Sequence, residues 1–232
     1  MILDHESREC LVATPRGRQS TEGRTGARGW TLRNLVTTGL TLLGLLGIGN
    51  GRAVAADPIA PGTPAPAWNS LPGVDGKPHS LADISTDKIV VVAFTCNSCP
   101  FAVAYEDRFI DFAKEYGAKG VEFVAINVNN EEADGFPMMQ SRAKEKGFNF
   151  PYLHDSSQKI GHAYGARVTP HLYVLDRDRK IAYVGAFDNA RKPEKVTKKY
   201  LHDAVDALLK GQSPAVPKTN AAGCSIRYEE EG

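Results

Sequence analysis

Hydrophobic and polar positions alternate along this chain with two different periods, and the point where one gives way to the other organises the reading. Ile89-Val-Val-Val-Ala-Phe94 is continuously apolar and β-branched, as a strand buried on both faces of a sheet requires. Seven residues later the period lengthens. Phe101, Tyr105, Phe109, Phe112, Ala113 and Tyr116 recur at steps of three and four, which predicts one amphipathic helix closed by Gly117. Val121 to Val128 is again apolar at most positions, so the three segments form a strand, helix, strand unit with a right-handed crossover and a parallel pair.

Before this unit, Val74 to Leu81 predicts a hairpin turning at Asp75-Gly76. After it, Asn129 to Gly135 is polar and reads as a loop, and Phe136 to Lys146 reads as a helix stopped by Gly147. Phe150 to His154 predicts a short strand, and Asp155-Ser-Ser157 caps a short helix through Tyr164. Val168 to Asp176 and Lys180 to Phe187 flank Arg177-Asp-Arg179 as an antiparallel hairpin. Leu201, Ala204, Val205, Leu208 and Leu209 make a last helical stripe, ending at Gly211. The expected fold class is α/β, with a central mixed sheet flanked by helices, an early hairpin and an insertion after the βαβ unit.

Composition adds export. Residues 1–34 are polar and Arg-rich, Leu35 to Gly49 carries no charge, and Arg52-Ala-Val-Ala-Ala-Asp57 offers small residues for cleavage. Residues 1–56 read as a signal peptide, or as an N-terminal anchor through 35–49 if uncleaved, although the run is shorter than the ~20 residues that span a bilayer. The expected location is periplasmic or extracellular, with membrane contact only through an uncleaved leader. The net charge is +1, and its basic excess belongs to the leader, so no nucleic-acid surface is expected. Residues 57–65 read as a proline-rich linker, 66–211 as the folded domain and 212–232 as a tail. Removal of the leader takes Cys10 and leaves Cys96, Cys99 and Cys224, too few for a disulfide-built scaffold.

The chemistry is placed by Cys96-Asn-Ser-Cys-Pro100. Pro100 suits a first helical turn, which puts the sulfurs at a helix N-terminus, where a thiolate is favoured over a thiol. Cys99 lies nearer the helix start and reads as the nucleophile, with Cys96 resolving the mixed disulfide; the reverse order is the alternative. Cys224, followed by Ile226 and Tyr228, is a candidate resolving thiol on a tail that folds back. His171 beside Pro170 offers a third ligand for a copper set with Cys96 and Cys99; no metal ligand is assigned.

The order of elements is similar to the thioredoxin fold, and Thr169-Pro170 before a strand resembles its cis-proline. That resemblance implies that Thr169 and Pro170 bind an extended substrate segment beside the sulfurs. The insertion, the early hairpin and Cys99-Pro100 resemble the redoxin, or peroxiredoxin-like, branch, in which the residue at position 96 is a threonine. A cysteine there favours a dithiol. The resemblance to peroxiredoxin-like thioredoxin-family proteins with Cys-Asn-X-Cys-Pro and a terminal Gly-Cys-Ser-Ile covers about Pro66 to Tyr228. It implies an exported thiol-disulfide oxidoreductase acting on a protein or low-molecular-weight thiol or disulfide, needing an external reductant and no cofactor. A thiol peroxidase and a copper-binding chaperone of the same fold are the alternatives.

Overall fold

The computed structural model describes residues 57–229, so the expected leader and cleavage site lie outside the described residues. The described chain first forms a hairpin of β1 (Leu71–Pro72) and β2 (Pro78–His79), closed by a Gly73 N–H bond of 2.8 Å to the Lys77 carbonyl. Gly76 sits in this turn at φ 78°, a conformation that costs glycine nothing. Next come β3 (Ile89–Phe94), α1 (Pro100–Val103), α2 (Glu106–Gly117) and β4 (Val121–Asn127). They are followed by α3 (Phe136–Lys146), β5 (Tyr152–His154), α4 (Lys159–Tyr164) and β6 (Val168–Thr169). The last elements are β7 (His171–Leu175), β8 (Ile181–Gly185), α5 (Tyr200–Leu209) and β9 (Cys224–Ser225).

The central sheet runs β5-β4-β3-β7-β8. β3 pairs parallel with β4 and antiparallel with β7, and β4 pairs parallel with β5. Every residue of β3 is fully buried, which explains a strand with no polar alternation. Ile89, Val91 and Ala93 face a layer containing Phe109, Phe112, Met139 and Leu201 from α2, α3 and α5. Val90, Val92 and Phe94 face Trp68 of the N-terminal arm, Tyr164 of α4 and Ile226 of the tail. Burying one such aliphatic or aromatic side chain stabilises by roughly 1.5–3 kcal/mol, so both layers hold the strand that leads to the cysteines. This mixed sheet between helices is a thioredoxin-like fold, as expected.

The single helix expected over 101–116 is instead two. Tyr105 N–H bonds three residues back, to Ala102, at 2.9 Å, and the Ala104 carbonyl accepts from Arg108 Nη2 at 3.1 Å. The break is stabilised from afar: Tyr105 OH donates to Asp188 at 3.1 Å, and Arg108 pairs with Asp188 and donates to the carbonyls of Ala190 and Arg191. The apolar periodicity runs through the break because Tyr105, Phe109 and Phe112 still face one layer. Among the described residues no helix is long and apolar enough to cross a membrane.

Candidate active site: three sulfurs around Thr169

β3 delivers the chain to a tight turn, Cys96 to Cys99, and Cys99 is the residue that opens α1, with Pro100 in its first turn. The turn is fixed by a carboxylate from the insertion. Asp134, fully buried, accepts the backbone N–H groups of Asn97 and Ser98, both at 2.8 Å, through Oδ1. Its Oδ2 accepts Ser98 Oγ–H at 2.7 Å and Asn129 Nδ2–H at 2.9 Å. Asn97 is tied further, its Oδ1 accepting from Tyr152 OH at 3.0 Å and its Nδ2 donating to the Ala133 carbonyl at 3.2 Å. Sequence reading passed over Asp134, which stands in an acidic loop resembling any solvated surface.

Thr169 is the residue shared by the sulfurs. The Thr169–Pro170 bond is cis, as the resemblance implied. Cys96 Sγ lies 3.4 Å from Thr169 Oγ1, and Cys99 Sγ lies 3.1 Å from the Thr169 carbonyl oxygen, an acceptor for the Cys99 thiol once it is reduced. Cys96 and Cys99 are each 3% exposed. Burial pushes the Cys96 thiol pKa up, the Thr169 hydroxyl partly opposes this, and the Asp134 charge adds to the rise. The helix-start argument for a thiolate at one of the two sulfurs therefore does not carry to Cys96, which burial disfavours as an anion.

The disulfide present also differs from the expected Cys96–Cys99 pair. Cys99 is bonded to Cys224, with a Cα–Cα distance of 5.9 Å, and Cys96 is free. The reason lies in the tail. β9 pairs antiparallel with β6, Cys224 opposite Thr169 and Ser225 opposite Val168, which carries Cys224 to the same point as Cys99. The tail is anchored on both sides of this pair. Upstream, Thr219 N–H bonds the Val184 carbonyl and Val184 N–H bonds the Pro217 carbonyl, both at 3.0 Å. Downstream, Ile226 N–H bonds the Arg167 carbonyl at 2.9 Å, Tyr228 OH donates to the Ala166 carbonyl at 2.7 Å, and the Tyr228 ring lies 3.9 Å from His162. Gln158 spans the end, donating to the Arg227 carbonyl at 2.9 Å and accepting Glu229 N–H at 2.7 Å.

His171 does not join the sulfurs as a ligand. Its Nδ1 lies 3.4 Å from both the Arg167 N–H and the Tyr173 hydroxyl. Burial, with the Arg167 and Lys218 charges, holds its pKa down to about 4. Among the described residues no group of three or more His, Cys, Asp or Glu side chains is placed to hold a metal ion, so the copper set of Cys96, Cys99 and His171 is not assembled.

The family model for Redoxin matches residues 60–201, more than half of the chain. This chain belongs to the redoxin family. As a redoxin it is an oxidoreductase, and Cys96, Cys99 and Ala102 form a small buried cluster against which Phe101 and Cys224 pack. The redoxin is 35% identical to a hypothetical protein of Sinorhizobium meliloti 1021, at a TM-score of 0.70 over 75% of this chain and 98% of that one. It is 37% identical to an uncharacterized conserved protein of Geobacillus kaustophilus, at a TM-score of 0.70 over 75% and 94% of the two chains. Thiol-disulfide oxidoreductase ResA of Geobacillus thermodenitrificans (strain NG80-2) is 26% identical over 126 residues, which are 53% of this chain and 67% of that protein.

Proposed function

We propose that this redoxin is an exported thiol-disulfide oxidoreductase in which Cys99 is the attacking sulfur. The reading rests on one observation: Cys99 is bonded to Cys224 while a third thiol, Cys96, packs against it. In the reduced protein the Cys99 thiolate attacks one sulfur of a substrate disulfide, a mixed disulfide forms, and the other substrate sulfur leaves as a thiolate that takes up a proton. A second protein thiol then attacks Cys99 Sγ, expels the remaining substrate thiolate and leaves an internal disulfide. Two electrons pass from protein to substrate, and an external thiol reductant returns them.

Cys224 is the better resolving thiol. Burial keeps Cys96 protonated at neutral pH, and only the thiolate attacks, whereas Cys224 is half-buried and already opposite Thr169. Cys96, the resolving residue suggested by the motif, stays as the buried free thiol beside the Cys99–Cys224 bond. Thr169 and Pro170 position the reacting sulfurs. Export rests on the leader's polar, apolar and small-residue order, and ResA, a thiol-disulfide oxidoreductase by name, supports the reaction class.

The test is turnover of a model disulfide by single variants of the full chain. Cys99→Ser is expected to lose at least about 100-fold, and Cys224→Ser to accumulate a mixed disulfide on Cys99, visible as an added mass. Full turnover by Cys99→Ser overturns the assignment. Peroxide consumption measured on the same proteins separates this reaction from a thiol peroxidase.

A further inference from the structure

The tail raises a question of access, and its answer narrows the substrate class of the reaction proposed above, on which it rests. A polypeptide disulfide can reach Cys99 only by bringing a stretch of backbone beside it. The backbone edge next to Cys99 is that of Thr169, whose carbonyl lies 3.1 Å from Cys99 Sγ. An exposed strand edge of this kind accepts an extended segment by adding a strand. Here the edge is already filled, because Cys224 pairs with Thr169 and Ser225 with Val168.

The fit leaves no space for a second segment. A Cβ placed on Gly223 would lie 2.0 Å from the Thr169 carbonyl oxygen and 2.6 Å from its carbon, so the tail backbone touches the edge at van der Waals distance or closer. Reduction of the Cys99–Cys224 bond does not by itself clear it. The anchors at 217–219 and 226–229 are hydrogen bonds and ring contacts that involve no sulfur. Next to this edge is a cavity of about 310 Å³ between α1 and the tail, lined by Phe101, Tyr105, Pro170, Asn189, Arg191 and Ala222; no sulfur lines it, but Pro170 follows Thr169 and Ala222 stands two residues before Cys224. That volume is at the lower end of small-molecule sites, and Phe101 on its wall packs against the cysteines.

We infer that residues 223–226 occupy the polypeptide edge of the site, so that the redoxin acts on low-molecular-weight disulfides and excludes polypeptide disulfides while its tail is docked. The exchange keeps the balance given above, with the small disulfide reduced to two thiols and Cys99–Cys224 oxidised.

The experiment compares reduced full-length protein with full-length Gly223→Val, whose side chain cannot fit against Thr169. Rates are measured on hydroxyethyl disulfide and on insulin. The insulin-to-small-disulfide rate ratio is expected to rise at least about tenfold in Gly223→Val, since an edge free only a tenth of the time weakens apparent binding by that factor. An unchanged ratio, or wild type already favouring insulin, overturns the inference. A labelled peptide spanning residues 219–229 and carrying Cys224→Ser reads the edge without turnover. It is expected to bind Gly223→Val at least about tenfold more tightly than wild type, and equal binding, or none to either, counts against the tail as the occupant. If both proteins leave both disulfides intact, the oxidoreductase reading fails, while the peptide titration still decides who holds the edge.

Discussion

Two segments bring sulfur to Thr169, and different forces hold them there. The turn from Cys96 to Cys99 is sunk beneath the surface and organised by one buried carboxylate, Asp134, which receives four hydrogen bonds. The tail from Pro217 to Glu229 lies on the outside of the sheet, held by main-chain bonds, Ile226 and Tyr228, and one covalent link. The turn is therefore expected to fail all at once when the Asp134 side chain is removed, and the tail to fail by increments. A sulfur cluster built this way has a fixed pair on one side and a partner held by separable contacts on the other.

The covalent link gives the largest expected effect. Cys99 and Cys224 are 125 residues apart, and closing a loop of that length constrains the unfolded chain by up to ~5 kcal/mol in the chain-entropy model. Cys224→Ser is expected to lower the unfolding free energy by that order relative to the oxidised protein, measured by urea denaturation, and to match wild type kept reduced. A loss below about 1 kcal/mol would mean that the tail detaches before the domain unfolds, and the two segments would then not belong to one cooperative unit.

Next is the turn. Asp134→Ala leaves the N–H groups of Asn97 and Ser98, the Ser98 hydroxyl and the Asn129 amide without their acceptor. At about 1 kcal/mol for each bond lost, the expected destabilisation is ~4 kcal/mol. Asp134→Asn retains Oδ1 for the two backbone donors and is expected to cost less than half as much. Equal losses in the two variants would show that the charge, and not the bonding pattern, holds the turn.

The difference between turn and tail also decides what was legible in the sequence. β3 and its sulfurs were readable because a strand buried on both faces needs no polar alternation, and because Cys96 and Cys99 share a motif of four residues. The hairpins, α3 and α5 followed from local periodicity in the same way. The break between α1 and α2 was not readable, since it depends on Asp188, 80 residues from Arg108. The Cys99–Cys224 pairing was readable in part: Ile226 and Tyr228 suggested a tail that folds back so that Cys224 exchanges with Cys96 or Cys99, but the choice of Cys99 is fixed by a strand register at Thr169 rather than by spacing. Asp134 gave no signal because a buried acid and a solvated one look alike until the donors around it are known.

His171 sits where both segments meet the sheet, following Pro170 and packed on Tyr173. Its pKa is about 4 in the folded protein against 6.5 ordinarily, so the unfolded chain takes up a proton first as pH falls. The stability is present in full above pH 6.5 and is lost progressively as pH drops toward 4, by ~3 kcal/mol in all. His171→Gln is expected to remove this component of the acid response, seen as a flatter plot of unfolding free energy against pH over that window. An unchanged slope would assign the acid sensitivity to other groups.

The smallest expected effect tests whether the tail's apolar anchor and its covalent one are coupled. Ile226 is 8% exposed and packs with Trp68 and Tyr164 on the outer layer of the sheet. Truncation to alanine removes methylene contacts at a site near the surface, where water can refill part of the space, so Ile226→Ala is expected to cost ~2 kcal/mol, the low end for such a change. In the reduced protein the same variant is expected to raise the alkylation rate of Cys224 while leaving that of Cys96 unchanged, because Cys96 is buried by the turn and not by Ile226. A double-mutant cycle with Cys224→Ser measures the coupling. If the two losses simply add, the anchor at Ile226 holds the tail without help from the disulfide, and Cys224 stays beside Cys99 through a full redox cycle. If Ile226→Ala has no effect once Cys224 is removed, the disulfide is what seats the tail, and reduction alone opens the edge at Thr169.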